Sequence, residues 1–179
     1  MWRGKKVLAI VPARGGSKGI KKKNIYPVCG KPLIQYTSEI IRECKWIDYA
    51  VVSTDDPEIG ILSELNFDFI RPAELSGDRV SDFPVVEHAL LAVETKIQSN
   101  FDLILLLQPT SPMRRSMDLE RALDKLFDGD FDSVMSVSET DSKGHPFKQF
   151  IIDGDEIRHW TKQGAKIVAR QELSKTYHK

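Results

Sequence analysis

Short apolar runs that alternate with helix-patterned segments limit most strongly how this chain can fold. Residues 6–11, 49–53 and 103–107 are strand-length runs rich in apolar side chains. Between them, residues 33–44 and 85–97 repeat apolar side chains at three- and four-residue steps, which is typical of amphipathic helices. Apolar strands separated by helices predict a mostly parallel sheet with helices on both faces, which is an α/β fold.

Four weaker segments extend the same pattern. Residues 57–65 have helical spacing after Asp56, a good N-cap residue, and residues 119–127 have helical spacing as well. Residues 68–70 and 133–137 are predicted as further short strands. Since ligands of such folds bind at the carboxyl ends of the strands, the residues that follow each strand are the candidate site.

The pattern changes after Gly144. Residues 147–152 and 156–160 flank Asp153-Gly154, a dipeptide that favours a tight hairpin turn. We therefore expect two regions, an α/β domain over residues 1–143 and a hairpin arm with the rest of the chain over residues 144–179. A two-stranded hairpin cannot bury its own apolar side chains, so the arm is expected to pack against another surface.

Composition excludes several classes of function. Lys plus Arg and Asp plus Glu are both 26, so no overall basic field attracts nucleic acid or an acidic membrane. The two cysteines, Cys29 and Cys44, form neither a disulfide framework nor a thiolate metal motif. No apolar run reaches transmembrane length and no signal peptide is recognised at the start of the chain. We expect a soluble cytoplasmic protein.

The loop at 12–24, PARGGSKGIKKKN, follows the first predicted strand and concentrates positive charge in a chain with none overall. Its glycines permit a tight turn whose backbone amides bind anions. Neither the Walker A spacing nor the G-x-G-x-x-G spacing occurs here, which disfavours a P-loop ATPase and an NAD enzyme. The composition leaves two alternatives open, a phosphate-binding loop and a solvated basic loop.

Polar residues also follow the other predicted strands. Asp55 and Asp56 follow the second strand, Arg71 the third, and Gln108 the central one. Each has a simpler alternative, such as a helix cap for Asp56 or a surface charge for Arg71. Together they place polar groups at one edge of one sheet, which packing alone does not explain.

These segments, in this order, resemble the CMP-N-acylneuraminate cytidylyltransferases, also called CMP-sialic acid synthetases. The resemblance rests on AIVPARGGSKGIKKKN at 9–24, GKPLI at 30–34, STDD at 53–56, LQPTSP at 107–112 and HPFK at 145–148, together with Arg71-Pro72 and Arg170-Gln171. It implies a Rossmann-like nucleotidyltransferase sheet. It also implies transfer of CMP from CTP to the anomeric hydroxyl of a nine-carbon 2-keto sugar acid, with release of pyrophosphate.

The resemblance implies roles for individual residues. Arg14 and Lys23 would be catalytic, because transfer to a hydroxyl needs alignment and stabilisation of phosphoryl charge. Nucleotide contacts are implied for Ala13, Arg14, Gly15, Gly16, Ser17, Lys23, Asn24, Arg71, Ser81 and Gln108. Sugar contacts are implied for Gln108, Thr110, Ser111, Lys148, Arg170 and Gln171. Lys148 lies on a predicted strand, so an exposed edge charge is the alternative for it.

The family also forms homodimers through an arm, and residues 144–170 match that arm in position. Lys148 and Arg170 are therefore expected to act across a homodimer interface. In the family a further strand, a helix and an acidic pair that binds Mg²⁺ follow the segment that resembles 171–179. No metal ligand is predicted within this sequence, although the resemblance implies Mg²⁺ as cofactor.

Three functions are compatible with these observations. The first is cytidylyl transfer to a sialic-acid-type sugar acid. The second is a catalytically silent CTP-binding or dimerisation fragment, favoured if the chain is a shortened or naturally short form. The third is cytidylyl transfer to another sugar acid, such as legionaminate, pseudaminate or Kdo. The sequence leaves the sugar acid open.

Overall fold

The computed structural model describes residues 1–178, with the side chain of Arg170 outside the described part. It contains two compact units, Met1–Glu120 and Arg121–Lys179, called here the N-terminal unit and the C-terminal unit. The strands are β1 (Val7–Pro12), β2 (Pro27–Val28), β3 (Lys31–Pro32), β4 (Tyr49–Ser53), β5 (Leu103–Leu106), β6 (Ser138–Glu139), β7 (Phe150–Asp153), β8 (Glu156–His159) and β9 (Tyr177–His178). The helices are α1 (Leu33–Glu43), α2 (Pro57–Leu62), α3 (Asp82–Ile97) and α4 (Ser116–Asp128), which runs across the boundary between the units.

The N-terminal unit is built on a parallel sheet with the order β4-β1-β5. Leu8 pairs with Tyr49 on one side of β1 and with Ile104 on the other. Residues 7–11 of β1 are completely buried, as expected for a central strand that is covered on both faces. The predicted α/β class with a parallel sheet is confirmed.

Side chains of the central strand alternate between two hydrophobic cores. Ala9 and Val11 pack with Ile34 of α1 and Ile59 of α2 on one face. Leu8 and Ile10 pack with residues of α3 on the other face, where Ala89 and Val93 are fully buried. The period of two along β1 therefore separates the helices onto opposite faces of the sheet.

Two predicted strands are wrong. Residues 68–70 have no regular structure, because the segment meets β4 through single bonds rather than a ladder: Asn66 O accepts from Val52 N at 3.0 Å, and Asp68 Oδ2 accepts from the Tyr49 hydroxyl at 2.7 Å. Residues 133–137 are also irregular, and the short strand β6 starts after them, at Ser138. Strand propensity forms a strand only where a neighbouring edge supplies hydrogen bonds.

The C-terminal unit contains the predicted hairpin, formed by β7 and β8 with Ile152 opposite Ile157. Gly154 has a φ of 62°, in the left-handed region that favours glycine. Lys148 does not lie on the hairpin strand as predicted. It ends a 3-10 turn, Pro146–Lys148, because the buried ring of His145 accepts a hydrogen bond from Phe147 N at 3.1 Å and caps that turn. Antiparallel β6 and β9 form a second pair.

Within residues 1–178, no helix is both long and apolar enough to cross a membrane. The cytoplasmic location and the division at residue 143 stay predictions.

Candidate active site

The loop at residues 14–24 is held at both ends by backbone groups. At its start, Ala13 is buried and its N–H donates to Ser53 O at 2.9 Å. At its end, the buried Asn24 side chain donates from Nδ2 to Arg14 O at 2.9 Å. This crossing bond folds the loop back on itself, so its cations are presented near the carboxyl end of β1.

Gly15 is required by a close contact with the turn that follows β4. A Cβ atom at this position would lie 3.0 Å from Asp56 Cβ. The Gly15 N–H donates to Asp55 Oδ1 at 2.8 Å, so this amide is satisfied within the protein. In contrast, a Cβ atom at Gly16 or Gly19 would meet nothing within 4 Å. The outer part of the loop is therefore open to solvent.

Arg71 is a buried cation with an unsatisfied donor. Its side chain is only 4% exposed, and its backbone N–H donates to Thr54 O at 2.8 Å. Nε donates to Ser76 Oγ at 3.2 Å, while Nη2 lies 3.8 Å from Asp55 Oδ1 and has no hydrogen-bond partner among the described residues. Burial lowers the pKa of Arg71, and the nearby Asp55 carboxylate opposes that shift. A buried N–H of this kind favours an acceptor on a ligand.

A pocket of about 660 Å³ lies between the cationic loop, the segment after Arg71 and the end of β5. The polar residues that line it are Arg14, Ser17, Lys18, Lys23, Asn24, Arg71, Asp78, Asp82, Gln108 and Thr110. The structure therefore brings seven of the predicted site residues to one cavity in the N-terminal unit. Cations, amides and carboxylates share this cavity, which suits a ligand that carries both a polyphosphate and a polar ring.

Gln108 is oriented by contacts on both its side chain and its backbone. Its Nε2 donates to Asp82 Oδ2 at 3.3 Å, and its backbone carbonyl accepts from Arg114 Nη2 at 3.1 Å. Burial lowers the pKa of Arg114. Sequence reasoning missed Asp78, Asp82 and Arg114. Asp82 directly follows the predicted Ser81, but nothing in the linear pattern indicates that it meets Gln108.

Other predicted residues lie outside the pocket lining. Gly15, Gly16 and Ser111 are sequence neighbours of residues that line the pocket. Ala13 belongs to the hydrophobic core. Ser81 precedes α3 and makes no side-chain capping bond to it. In the C-terminal unit, Lys148 is half-buried and Gln171 is exposed. The Arg170 side chain lies outside the described residues. The roles of all these residues stay predictions.

Of the two carboxylates in the turn after β4, Asp56 has a structural role. Asp56 Oδ1 accepts from Glu58 N at 2.9 Å and caps α2, which confirms Asp56 as an N-cap. Asp55 is used by Gly15 and lies beside Arg71. Ser53, the last residue of β4, and Thr54, the first residue of the turn, are both buried. The turn therefore holds the cationic loop in place through the hydrogen bond from Gly15 N to Asp55.

The described residues form no closed set of protein ligands around a magnesium ion. Across residues 1–178, no group of three or more His, Cys, Asp or Glu side chains is placed to hold a metal. The carboxylates of the pocket have other partners, since Asp78 pairs with Arg14 and Lys18 while Asp82 accepts from Gln108.

Comparison with known proteins decides the family. The model of a family described as cytidylyltransferase matches residues 8–150. The chain belongs to the cytidylyltransferase family. The matched stretch includes the cationic loop, Arg71 and Gln108, so the pocket lies within the part of the chain that carries the family relationship.

Two curated relatives show how this family member compares with longer proteins. It is 38% identical over 120 residues to the N-acylneuraminate cytidylyltransferase of Escherichia coli O18:K1:H7, which covers 66% of this chain and 27% of the relative. It is 30% identical over 178 residues to a pseudaminic acid cytidylyltransferase of Campylobacter jejuni, which covers 97% of this chain and 75% of the relative. The chain thus spans about a quarter of the first relative and three quarters of the second.

A solved structure supports the fold of this family member. A CMP:2-keto-3-deoxy-manno-octonic acid synthetase complexed with CTP superposes with a TM-score of 0.58 and 24% identity. The superposition covers 79% of this chain and 56% of that one. At this identity the likeness establishes the Rossmann-like α/β architecture.

Proposed function

We propose that this chain is a nucleotidyltransferase that transfers CMP from CTP to the anomeric hydroxyl of a sialic-acid-type 2-keto sugar acid and releases pyrophosphate. One observation carries the proposal: the cation-rich loop and the unsatisfied donor of buried Arg71 line the same pocket. Family membership and the two named relatives support the reaction class.

The loop cations form the phosphate end of the proposed site. Arg14, Lys18 and Lys23 line the pocket in a chain whose net charge is zero, so the positive charge there is local. In the proposed reaction the sugar oxygen forms a bond to the α-phosphorus as the bond to the pyrophosphate oxygen breaks, and the hydroxyl proton passes to solvent. Lys23 and Arg14 would stabilise the charge that develops on the phosphoryl oxygens.

Arg71 and Gln108 form the base end of the proposed site. A cytosine ring offers acceptors at O2 and N3 and a donor amine at N4. Arg71 Nη2 is a donor without a partner among the described residues, and the Gln108 amide is held by Asp82. A lost hydrogen bond of this kind costs about 1–3 kcal/mol, which is enough to favour CTP over UTP.

The sugar end of the site is proposed from the resemblance alone. Gln108 and Thr110 line the pocket, and Ser111 follows them. Lys148, Arg170 and Gln171 are proposed to bind the sugar carboxylate, because an Arg or Lys pairs well with a carboxylate.

A homodimer is proposed from the exposed apolar residues of the hairpin region. Phe150, Ile152, Ile157 and Trp160 are between 54% and 75% exposed, and they lie on or beside a two-stranded hairpin that cannot bury them itself. Sedimentation of the wild-type chain should give twice the mass of Ile152→Lys. A monomeric wild-type chain would refute the dimer and leave the proposed reaction untouched.

A second candidate function is a CTP-binding module without turnover. The observation that favours it is that both carboxylates of the pocket are engaged with the protein's own groups, Asp78 with Arg14 and Lys18 and Asp82 with Gln108. Calorimetry would then show CTP binding while pyrophosphate release stays at background.

Pyrophosphate release tests the proposed reaction. The chain is incubated with each of CTP, UTP, ATP and GTP, with and without Mg²⁺, against sialate, legionaminate, pseudaminate and Kdo. Mg²⁺ is included because the resemblance implies it and because it neutralises triphosphate charge. The proposal expects release from CTP with one or more nine-carbon acids. Preference for another nucleotide would refute it, and preference for Kdo would reassign the acceptor.

A further inference from the structure

Asp78 joins the two walls of the pocket by binding two loop cations at once. Its Oδ1 lies 2.7 Å from Arg14 Nη1, and its Oδ2 is paired with Lys18 Nζ. Asp78 belongs to the segment after Arg71, whereas both cations belong to the loop after β1. This pair of contacts, called here the Asp78 bridge, closes the pocket where the proposed function places the phosphates.

The Asp78 bridge has the form of a phosphate contact. A carboxylate that uses each oxygen on a different cation resembles a phosphate that is held by two cations. The hydrogen bond from Lys18, followed by its charge and that of Arg14, lowers the pKa of Asp78. The carboxylate is therefore ionised at neutral pH and neutralises cations that a nucleotide would need.

The segment that carries Asp78 is anchored at its start, and Asp78 itself lies at the protein surface. At its start, Ser76 Oγ accepts from Arg71 Nε at 3.2 Å and donates to Pro72 O at 3.1 Å. Beyond it, a long backbone bond of 3.4 Å joins Val80 N to Gly77 O. Asp78 is 36% exposed and Lys18 is 82% exposed. Opening the bridge breaks two ion pairs at the protein surface, of which the one with Arg14 is partly buried, and none of the three residues belongs to either hydrophobic core.

We propose that Asp78 is an internal competitor for the phosphate-binding cations, and that it makes the pocket selective for polyphosphates over single phosphate groups. When a single phosphate displaces the Asp78 carboxylate, one anion takes the place of another, so the exchange gains little binding free energy. A triphosphate brings several anionic groups, contacts Lys23 as well, and so displaces the carboxylate. The choice of CTP as the displacing ligand rests on the proposed function, whereas the bridge itself is independent of the base.

Isothermal titration calorimetry of Asp78→Asn tests this role. The probes are inorganic phosphate, inorganic pyrophosphate and CTP, each titrated into the full chain at fixed ionic strength. Asp78→Asn should bind pyrophosphate about three- to tenfold more tightly than wild type, because exposed pairs of this kind contribute modestly. The gain in affinity should be larger for inorganic phosphate than for CTP, so Asp78→Asn should be less selective for polyphosphates than wild type.

Two further variants isolate the effect. Glu64→Gln removes one negative charge from a surface pair with Arg42 at 2.7 Å, outside the pocket lining, and should bind all three probes like wild type. Asp78→Glu keeps the competing charge and should also stay near wild type. Thermal melting of each variant confirms that the fold is unchanged.

The outcomes separate this proposal from the proposed function. If wild type releases pyrophosphate from CTP but Asp78→Asn binds the probes no more tightly, the competitor role is overturned and the reaction stands. If Asp78→Asn binds pyrophosphate more tightly while CTP is not used, the reaction fails and the competitor role stands. If neither protein binds pyrophosphate or CTP, both are overturned, because the loop is then not a phosphate site.

Discussion

The two units differ in how many of their apolar side chains are buried. In the N-terminal unit, Val7 to Val11 are completely buried between helices on two faces of a sheet. In the C-terminal unit, Ile152 is 75% exposed, Ile157 is 67% exposed and Val168 is 94% exposed. Both units expose some apolar side chains, such as Phe83 at 74% in the first, but nearly all of the buried apolar side chains among the described residues belong to the first unit.

This difference has a functional consequence. The pocket is lined entirely by residues of the N-terminal unit, which is built on the parallel sheet that helices cover on both faces. The proposed sugar contacts at Lys148, Arg170 and Gln171 belong to the unit that has fewer buried side chains. We therefore expect the proposed nucleotide binding to depend mainly on the N-terminal unit, and the proposed acceptor binding to depend on what covers the hairpin.

The largest expected difference is in stability. Ile10→Ala removes a completely buried side chain that packs beside Ala89 and Val93, and should lower the free energy of unfolding by about 2–5 kcal/mol. Val168→Ala, at an exposed position of the C-terminal unit, should change it by about 0.5 kcal/mol or less. Urea denaturation of both variants checks this. Equal losses of unfolding free energy would show that the side chains of Ile10 and Val168 are equally buried, which would contradict the difference between the units.

Thiol reactivity tests how closed the core of the N-terminal unit is. Burial, followed by the charges of Glu120 and Glu43, raises the pKa of the Cys44 thiol from 9.0 to about 11. At pH 8 about one thiol in a thousand is then the reactive thiolate. Because the shift is upward, reactivity should increase as the pH rises toward 11.

Iodoacetamide labelling followed by peptide mass spectrometry measures this effect. Exposed Cys29 should react in the native chain while Cys44 stays unmodified, and both should react in urea. A Cys29→Ser variant serves as the control, because its native labelling reports Cys44 alone. Native labelling of Cys44 as fast as in urea would show that the core opens readily.

The cationic loop should show the reverse of the core, a large effect on activity with little on stability. Arg14→Ala and Lys23→Ala should each lower pyrophosphate release about a hundredfold, since each removes a charge that would stabilise the transferring phosphoryl group. Melting temperatures should stay near wild type, because loop side chains contribute little to the core.

Lys21→Ala is the matched control for the loop. Lys21 is an exposed cation of the same loop that does not line the pocket, so its removal tests overall charge without the proposed contacts. Its turnover should stay within a few fold of wild type. A loss as large as that of Lys23→Ala would mean that the loop acts through general attraction of anions.

Local patterns predict the sheet and its helices well, because burial on both faces leaves a strong periodic signal. Strand β4 has the predicted bounds, Tyr49–Ser53, and the predicted helix at 85–97 lies within α3. The strand predicted at 68–70 failed because its polar bonds to β4 come from Asn66 and from the Asp68 side chain. A single backbone bond and a single side-chain bond of this kind leave no periodic trace in a sequence.

The site was predicted by composition and resemblance, but its internal contacts were not. The cations of residues 14–24 stand out in a neutral chain, and Arg14 and Lys23 do line the pocket. Asp78 and Asp82 were missed because each meets its partner across a gap of many residues, 64 from Asp78 to Arg14 and 26 from Asp82 to Gln108. Pairings of this kind are set by the fold and cannot be inferred from spacing.

The smallest expected effect concerns Asp56, for which the sequence left a cap and a ligand contact open. Asp56 Oδ1 accepts from Glu58 N at 2.9 Å, and a Cβ atom at Gly15 of the cationic loop would lie 3.0 Å from Asp56 Cβ. Asp56→Ala removes the cap but keeps the Cβ atom, so it should cost about 1 kcal/mol of stability and leave CTP affinity unchanged. Asp56→Ser, which preserves a capping oxygen, should recover most of that loss. Calorimetry and urea denaturation separate the two properties, and weaker CTP binding without loss of stability would identify Asp56 as a ligand contact after all.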